Sequence, residues 1–455
     1  MSADGPVARM LPQLAGCSPE LLTDLYQLTM GASYLANGMT GTATFELFTR
    51  RMPPDRNFLM AAGAEDAADF LEQLAFDDDS VEYLRSLQIF PETFLAYLRE
   101  MRFTGDVWAM REGEIFFTDE PIFRVTAPII EAQFVETFLL NLIGFQSLIA
   151  SKAARVTLAC AGRPYSDFSP RRDHGPDAAL LTARASYLGG ADSTSNVQAG
   201  QYYGLRLSGT MAHSYVQSFE HEVDAFRTFL RDYPGGTTLL IDTYDTVEGA
   251  KRAVQAMEET GIRARAVRID SGDLLELSRD VRELLDSAGY EDVGIFVSGD
   301  LDEWRIEELV EANAPIDGFG VGTQLGTGGD SPSLGVIYKL VADEHGAKRK
   351  RSPGKATLPG VKQVYRQEVG GEVARDVLAL ADETPPTGRP LLEPLMRNGR
   401  RVREREALTE ARARAERSLA TLPERLRSMR AAEEPYVVER SPGLEALLKR
   451  EVPHS

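Results

Sequence analysis

An α/β fold built on parallel strands is what this 455-residue sequence predicts, and three observations carry the prediction. Between residues 237 and 329, four apolar, strand-like runs each end in a burst of Asp, Arg, Ser or Gly. Helical periodicity fills the intervals, and strand–helix–strand at short spacing is the pattern of parallel β/α units. The chain is also longer than one hydrophobic core usually supports, so a second domain beside a barrel is expected.

Taken in order, residues 1–135 mix helices with strand signals such as Thr42-Ala-Thr-Phe-Glu-Leu-Phe48, broken by Pro53-Pro54. Residues 136–342 form the β/α stretch. The apolar segment 129–150 carries Glu131, Gln133, Glu136, Asn141 and Gln146, which reads as a buried helix and not a membrane span. The four strand runs are Thr238-Leu-Leu-Ile-Asp242, Ala264-Arg-Ala-Val-Arg268-Ile-Asp270, Val293-Gly-Ile-Phe-Val-Ser298-Gly-Asp300, and Ile316-Asp-Gly-Phe-Gly-Val-Gly322-Thr323. The clearest helix places Leu274, Leu277, Val281, Leu284 and Ala288 on one face, with Gly289 as its stop. In parallel folds the polar strand ends collect at one rim, so Asp242, Arg268, Asp270, Asp300 and Gly322 are expected to carry the chemistry. Residues 343–455 change character. His345 opens a basic loop with Lys348, Arg349, Lys350, Arg351 and Lys355, and residues 397–430 are rich in Arg, Glu and Ala. An RNA-binding arm is one reading of that last stretch; interleaved Glu404, Glu406, Glu410 and Glu416 favour a solvated, salt-bridged helix.

Composition narrows the function. A formal charge of −19 argues against a nucleic-acid surface, which needs clustered Lys and Arg. An anionic small substrate needs local cations set against that field. The two cysteines, Cys17 and Cys160, cannot form a disulfide framework or a cysteine-rich zinc site, and suit a cytoplasmic protein. Met1-Ser-Ala-Asp-Gly-Pro6 lacks the basic and apolar regions of a signal peptide, so no secretory leader is expected.

Four motifs suggest a site. Gly318-Phe-Gly-Val-Gly322-Thr323-Gln-Leu-Gly326-Thr-Gly-Gly-Asp330 lets backbone N–H groups approach a ligand, as phosphate binding requires. It has neither the P-loop ending nor the dinucleotide spacing, and the plain alternative is a flexible turn. In Arg268-Ile-Asp270-Ser-Gly-Asp273, the first two charged residues share one side of a strand, suiting a ribose phosphate. Asp273, with Glu276 three residues on, also reads as a helix N-cap. Gly209-Thr210-Met-Ala-His213-Ser214 holds one of five histidines among small residues; a satisfied core side chain competes with a polar pocket. Asp167-Phe168-Ser-Pro-Arg171-Arg172-Asp-His174 offers a ring to stack on, with Arg171 for phosphate or pyrophosphate.

With Leu22-Thr-Asp-Leu-Tyr26-Gln-Leu-Thr-Met30, Leu188-Gly-Gly-Ala-Asp192-Ser-Thr-Ser-Asn196, Gly320-Val-Gly322-Thr323 and Leu358-Pro-Gly-Val-Lys362-Gln-Val-Tyr365-Arg366 added in the same order, the chain resembles the nicotinate phosphoribosyltransferases. The resemblance implies condensation of nicotinate with phosphoribosyl pyrophosphate to nicotinate mononucleotide and pyrophosphate, serving NAD synthesis, with Mg²⁺ and coupled ATP hydrolysis. It also implies an irregular, TIM-like α/β barrel and a second, α+β sandwich-like domain formed by the N- and C-terminal parts of the chain. Tyr26 is then expected to stack on the pyridine ring from the partner subunit of a head-to-tail homodimer. Phe168, Thr210 and Arg268 are expected to bind nicotinate, and Arg171, Asp270, Gly299, Asp300, Gly322 and Thr323 to bind phosphoribosyl pyrophosphate. His213 is the expected phosphohistidine, acting with Arg268 and Asp270; no metal ligands are assigned, and no nucleic-acid or membrane partner is expected.

Alternatives stay open at this level. Asp192 could accept a hydrogen bond from an amide, as a nicotinamide phosphoribosyltransferase needs. A quinolinate enzyme calls for more cations around its second carboxylate. An inactive nucleotide-binding homologue is opposed by intact Tyr26, His213, Arg268 and Asp270.

Overall fold

The computed structural model describes residues 18–350, 352 and 354–450. Cys17, the first six residues, and Arg351 of the basic loop therefore lie outside the described residues. The chain divides into two compact units, Lys152–Pro332 and the pair Met1–Ser151 with Ser333–Ser455.

Lys152–Pro332 is built on a six-stranded sheet. Its order is Ser193–Thr194, Tyr165–Asp167, Gly318–Val321, Gly294–Val297, Ala266–Ile269, Thr238–Leu240. Every pairing is parallel and nearly in step, as in Val297 opposite Ile269 and Val321 opposite Asp167. All six strands therefore end at one rim. Alternate residues explain the packing: Val267, Ile269, Ile295, Val297, Phe319 and Val321 are fully buried on one face. The other face carries Arg268, Phe296 and glycines. Residues 206–208 extend the edge beside Thr194 through a parallel bridge to Leu207. Among the described residues the ladder does not close into a barrel, because no strand bridges from Leu207 to Thr238. Both nevertheless border one cavity of about 490 Å³, so the sheet is a curved half-barrel.

The other unit interleaves both ends of the chain. Its seven-stranded sheet places Val336–Asp343 antiparallel to Thr42–Thr49, and Leu392–Arg397 antiparallel to Asp106–Met110. A four-stranded sheet is made by Arg389–Pro390, Lys362–Val369, Glu372–Leu380 and Val438–Arg440.

Two boundaries differ from those read in the sequence. The first falls inside helix Glu136–Ala159, at Ser151, and not at residue 135. The Ser147 and Ser151 hydroxyls accept hydrogen bonds from the Ala62 and Met60 amides, so this half of the helix belongs to the interleaved unit. The second falls at Pro332, not residue 342, since Val336–Asp343 is a strand of that unit's sheet. Helix Glu136–Ala159 has the length and apolarity to cross a bilayer, but 78% of its apolar window is buried in the protein. The Arg/Glu-rich stretch is also more than one helix: strand Arg400–Arg401 and helices Leu408–Ala420 and Glu424–Arg427 divide it. Arg401 and Arg405 pair with Glu65, Asp66 and Asp69, so these cations hold the unit together.

Candidate active site

Arg268 is the hub of the rim. It leaves strand Ala266–Ile269 with its side chain only 12% exposed. Its Nε donates to Ser298 Oγ at 2.7 Å, one terminal nitrogen to Thr210 Oγ1 at 2.7 Å, and the other to Asp270 Oδ1 at 2.6 Å. Three of the five guanidinium N–H donors are thereby committed and the fork is fixed in orientation. The Thr210 hydroxyl donates onward to the Met211 carbonyl at 3.2 Å. Beneath the guanidinium lies Phe168, its ring centroid 5.7 Å from Cζ. Phe168 leans on Phe296 at 5.9 Å, and Gly320 makes room for it: a Cβ there would sit 2.6 Å from the Phe168 ring.

Asp270 joins Arg268 to His213. Burial pushes the Asp270 carboxyl up, but the Ser298 hydroxyl, which donates to Oδ1, and the Arg268 guanidinium outweigh it and hold the group below the usual range. Its other oxygen lies 3.8 Å from His213 Nε2, while His213 Nδ1 is 3.2 Å from the Thr243 hydroxyl. The ring is hydrogen-bonded through Nδ1, its Nε2 faces the Asp270 carboxylate beyond hydrogen-bond reach, and its side chain is 40% exposed. Asp242 stabilises the turn: Oδ2 accepts from the Asp270 amide at 2.9 Å and the Ser271 hydroxyl at 2.7 Å. Its Oδ1 is buried with no hydrogen-bond partner.

Two further turns complete the rim. After Val297 the backbone enters left-handed geometry at Gly299 (φ 94°) and Asp300 (φ 49°). A Cβ at Gly299 would fall 1.9 Å from the Asp270 carbonyl oxygen, so only glycine fits. After Val321, Gly322 leads into the short helix Thr323–Gly326. Gly326 packs against Ser169 and Asp173, bringing the glycine turn onto the loop that carries Phe168. Asp167, fully buried, orients that loop by accepting from the Ser169 amide and hydroxyl and from Thr194 Oγ1. Burial and then repulsion from Asp167 push Asp173 up to about 7, against the Ser169 hydroxyl that lowers it.

Thus Phe168, Thr210, His213, Arg268 and Asp270 form one connected group. Gly299, Asp300, Gly322 and Thr323 lie at strand ends of the same sheet. Arg171 is exposed in the loop after Phe168, with no hydrogen-bond or ion-pair partner among the described residues. Tyr26 belongs to the interleaved unit, on helix Leu25–Ala36; it is 47% exposed and donates to Glu136 at 3.2 Å. Asp273 caps helix Leu274–Ser287 by accepting from the Leu275 and Glu276 amides. Asp192 accepts from the Tyr165 amide, at the opposite end of that strand from Asp167. It borders the 490 Å³ cavity, as does Thr210. Ser298 and Thr243 were not singled out from the sequence, and Asp167, though it heads the Phe168 motif, was given no role there. Ser298 stood at the end of a strand run, but a lone serine carries no periodic or charge signal.

Known proteins resemble this chain closely. Residues 21–144 match the model of the nicotinate phosphoribosyltransferase N-terminal domain, and residues 384–448 that of the C-terminal domain. The nicotinate phosphoribosyltransferase pncB2 of Mycobacterium tuberculosis is 51% identical over 412 residues, covering 90% of this chain and 89% of that protein. The Bacillus subtilis nicotinate phosphoribosyltransferase is 42% identical over 378 residues, covering 80% and 77%. The crystal structure of human nicotinic acid phosphoribosyltransferase superposes with a TM-score of 0.83 at 30% identity, covering 94% of this chain and 99% of that one.

Proposed function

The chain belongs to the nicotinate phosphoribosyltransferase family, and we propose that it condenses nicotinate with phosphoribosyl pyrophosphate, releasing nicotinate mononucleotide and pyrophosphate, in a reaction coupled to ATP hydrolysis. The observation that carries the reading is the Arg268 fork, fixed by Thr210, Ser298 and Asp270 above the Phe168 ring. A fixed planar cation stacked near an aromatic ring suits a flat base bearing a carboxylate.

Glycosyl transfer breaks the bond from ribose C1 to pyrophosphate while the pyridine nitrogen forms the new one. Positive charge builds on the ribose, so the protein must hold two anionic groups in line and needs no nucleophile of its own. Asp270, kept ionised, faces the ribose hydroxyls. The Gly299-Asp300 and Gly322-Thr323 turns present backbone N–H groups to phosphate, and exposed Arg171 meets the pyrophosphate. We assign Mg²⁺ to this site on one structural ground, the orphaned Asp242 Oδ1 beside Asp270. Among the described residues no three His, Cys, Asp or Glu side chains are grouped to cage a metal, which suits an ion held by one or two carboxylates plus substrate phosphates. Bound there, Mg²⁺ would neutralise the departing pyrophosphate.

ATP acts on His213 in this scheme: a ring nitrogen attacks the γ-phosphorus and ADP leaves, with Asp270 and Thr243 steadying the imidazole. The curved half-barrel, our counterpart of the family's irregular barrel, carries this site at its rim, and Tyr26 of a head-to-tail partner covers the base. A nicotinamide-specific reading would need Asp192 as amide acceptor, but that carboxylate is engaged by the Tyr165 amide.

The test offers nicotinate and nicotinamide separately to purified protein, with and without ATP. Nicotinate should be strongly preferred and ATP should accelerate its turnover. His213→Ala should abolish ATP hydrolysis and acid-labile phosphate incorporation while retaining some mononucleotide formation. Parallel loss of both activities would instead give His213 a purely orienting role.

A further inference from the structure

Each of the two turns assigned to phosphate is followed by a carboxylate that runs back into the protein. Glu303, three residues beyond Asp300, opens helix Glu303–Glu311 and is fully buried. Asp330 ends the glycine turn with its side chain 11% exposed. The two carboxylates meet on one ammonium. Lys152 Nζ lies 2.6 Å from Glu303 Oε2 and 2.8 Å from Asp330 Oδ1, with its own side chain 0% exposed. The bond to Asp330 is a directed hydrogen bond; the contact to Glu303 Oε2 is ionic only, since that oxygen has no well-aligned donor. Arg155 Nε donates to Glu303 Oε1 at 2.8 Å, and the Trp304 ring packs 4.8 Å from Nζ. Two cations and two carboxylates balance in a buried site.

A buried ion group of this kind is weak stabilisation, because apolar residues of the same volume often do as well. Its effect on geometry is another matter. Residues 322–329 form one backbone-bonded piece, in which the Gly326, Thr327, Gly328 and Gly329 amides donate to the Gly322, Thr323, Leu325 and Gln324 carbonyls. A tether at its exit, Asp330, therefore sets where the Gly322-Thr323 turn at the head of the same piece lies. We propose that Lys152 is a positioning residue for phosphoribosyl pyrophosphate: its charge clamps Glu303 to Asp330 and so sets the spacing of the two phosphate-binding turns. This deepens the phosphoribosyl pyrophosphate reading above and rests on it.

Lys152→Met alone leaves two buried carboxylates with the one cation Arg155, so the decisive protein is Lys152→Met with Asp330→Asn. That pair leaves Arg155 and Glu303 balanced and removes the clamp. Its melting temperature should stay near the wild-type value, while KM for phosphoribosyl pyrophosphate rises ~10-fold or more and KM for nicotinate stays within about twofold. Unchanged KM for phosphoribosyl pyrophosphate, or equal rises for both substrates, overturns the proposal. Should the double variant not fold, Asp330→Asn alone decides by the same criterion. Wild-type protein inert toward nicotinate defeats the functional reading instead. Calorimetry with inorganic pyrophosphate then judges the clamp: ~10-fold weaker binding by Asp330→Asn than by wild type supports it, and equal binding, or none by wild type, overturns it.

Discussion

At the scale of the residue, the proposed specificity rests on Arg268. Its three bonds to Thr210, Ser298 and Asp270 orient a planar fork that lysine cannot reproduce. Lysine keeps the charge but not the planar fork, and a hydrogen bond to a charged group contributes about 1.5–3 kcal/mol, so Arg268→Lys should lower kcat/KM for nicotinate by about tenfold or more. Steady-state kinetics on both bases checks this, and a variant that keeps its preference for nicotinate would remove the guanidinium from base recognition. Arg268 and Asp270 were legible in the sequence because a two-residue step at a strand end puts both on one side. Ser298, which bonds both, was not: nothing in sequence separates it from any other serine in a turn. Asp173 supplies a second residue-level prediction. Its folded-state value of about 7 lies above that of an unfolded aspartate, because it is buried beside Asp167. A raised carboxyl favours folding while protonated, and that contribution is lost as pH climbs from the ordinary carboxylate range through about 7. Asp173→Asn should therefore raise the melting temperature at pH 8, with the gain shrinking as pH falls towards 4. A gain independent of pH would mean that the charge is not its source.

Elements show where periodicity succeeds and where it is blind. Four strand runs ending in polar bursts located the rim, because parallel strands in step must deliver their ends together. Helix Leu274–Ser287 was located too, and Gly289 follows it with φ 78°. Its buried face, however, is Leu274, Ser278, Val281 and Leu285, rotated from the leucine stripe that includes Leu277 and Leu284. Ser278 can be buried because its hydroxyl donates to the Leu275 carbonyl at 2.9 Å, a local bond that hydrophobicity does not register. The Arg/Glu-rich stretch misled for a related reason. Its arginines pair with carboxylates some 330 residues away, as Arg401 does with Glu65 at 336, and such partners leave no local pattern. The prediction at this scale concerns Gly299. A methyl group there meets the Asp270 carbonyl at 1.9 Å in a backbone conformation that alanine resists. Strain of this kind costs about 1–3 kcal/mol, so Gly299→Ala should lower the melting temperature and also impair turnover by displacing Asp270. Full activity in the variant would show that the turn relaxes without moving the carboxylate.

At the scale of the whole molecule, the interleaving of chain ends was the least legible feature in the residues themselves. Thr42–Thr49 pairs with both Phe123–Pro128 and Val336–Asp343, and no local signal announces a partner nearly 300 residues away. The same non-locality applies to assembly. Tyr26 stands 47% exposed on a helix of the interleaved unit, in company with exposed Leu22 and Leu25. Large apolar side chains left in water together are what an interface would cover. If Tyr26 completes the site of a head-to-tail partner, the two kinds of defect should complement. Tyr26→Ala and Arg268→Ala protomers are each expected to be weak, since every site in either homodimer lacks one group. Mixing them generates pairs in which one site receives both lesions and the other receives neither, as two-fold symmetry requires of a shared site. Random exchange of equal amounts makes half the dimers mixed, so activity should recover to about a quarter of the wild-type value. Native mass spectrometry can verify the exchange independently of activity. Recovery near that level places Tyr26 across the interface. Its failure, once mixed dimers are seen, confines Tyr26 to its own subunit and leaves Phe168 as the aromatic platform for the base.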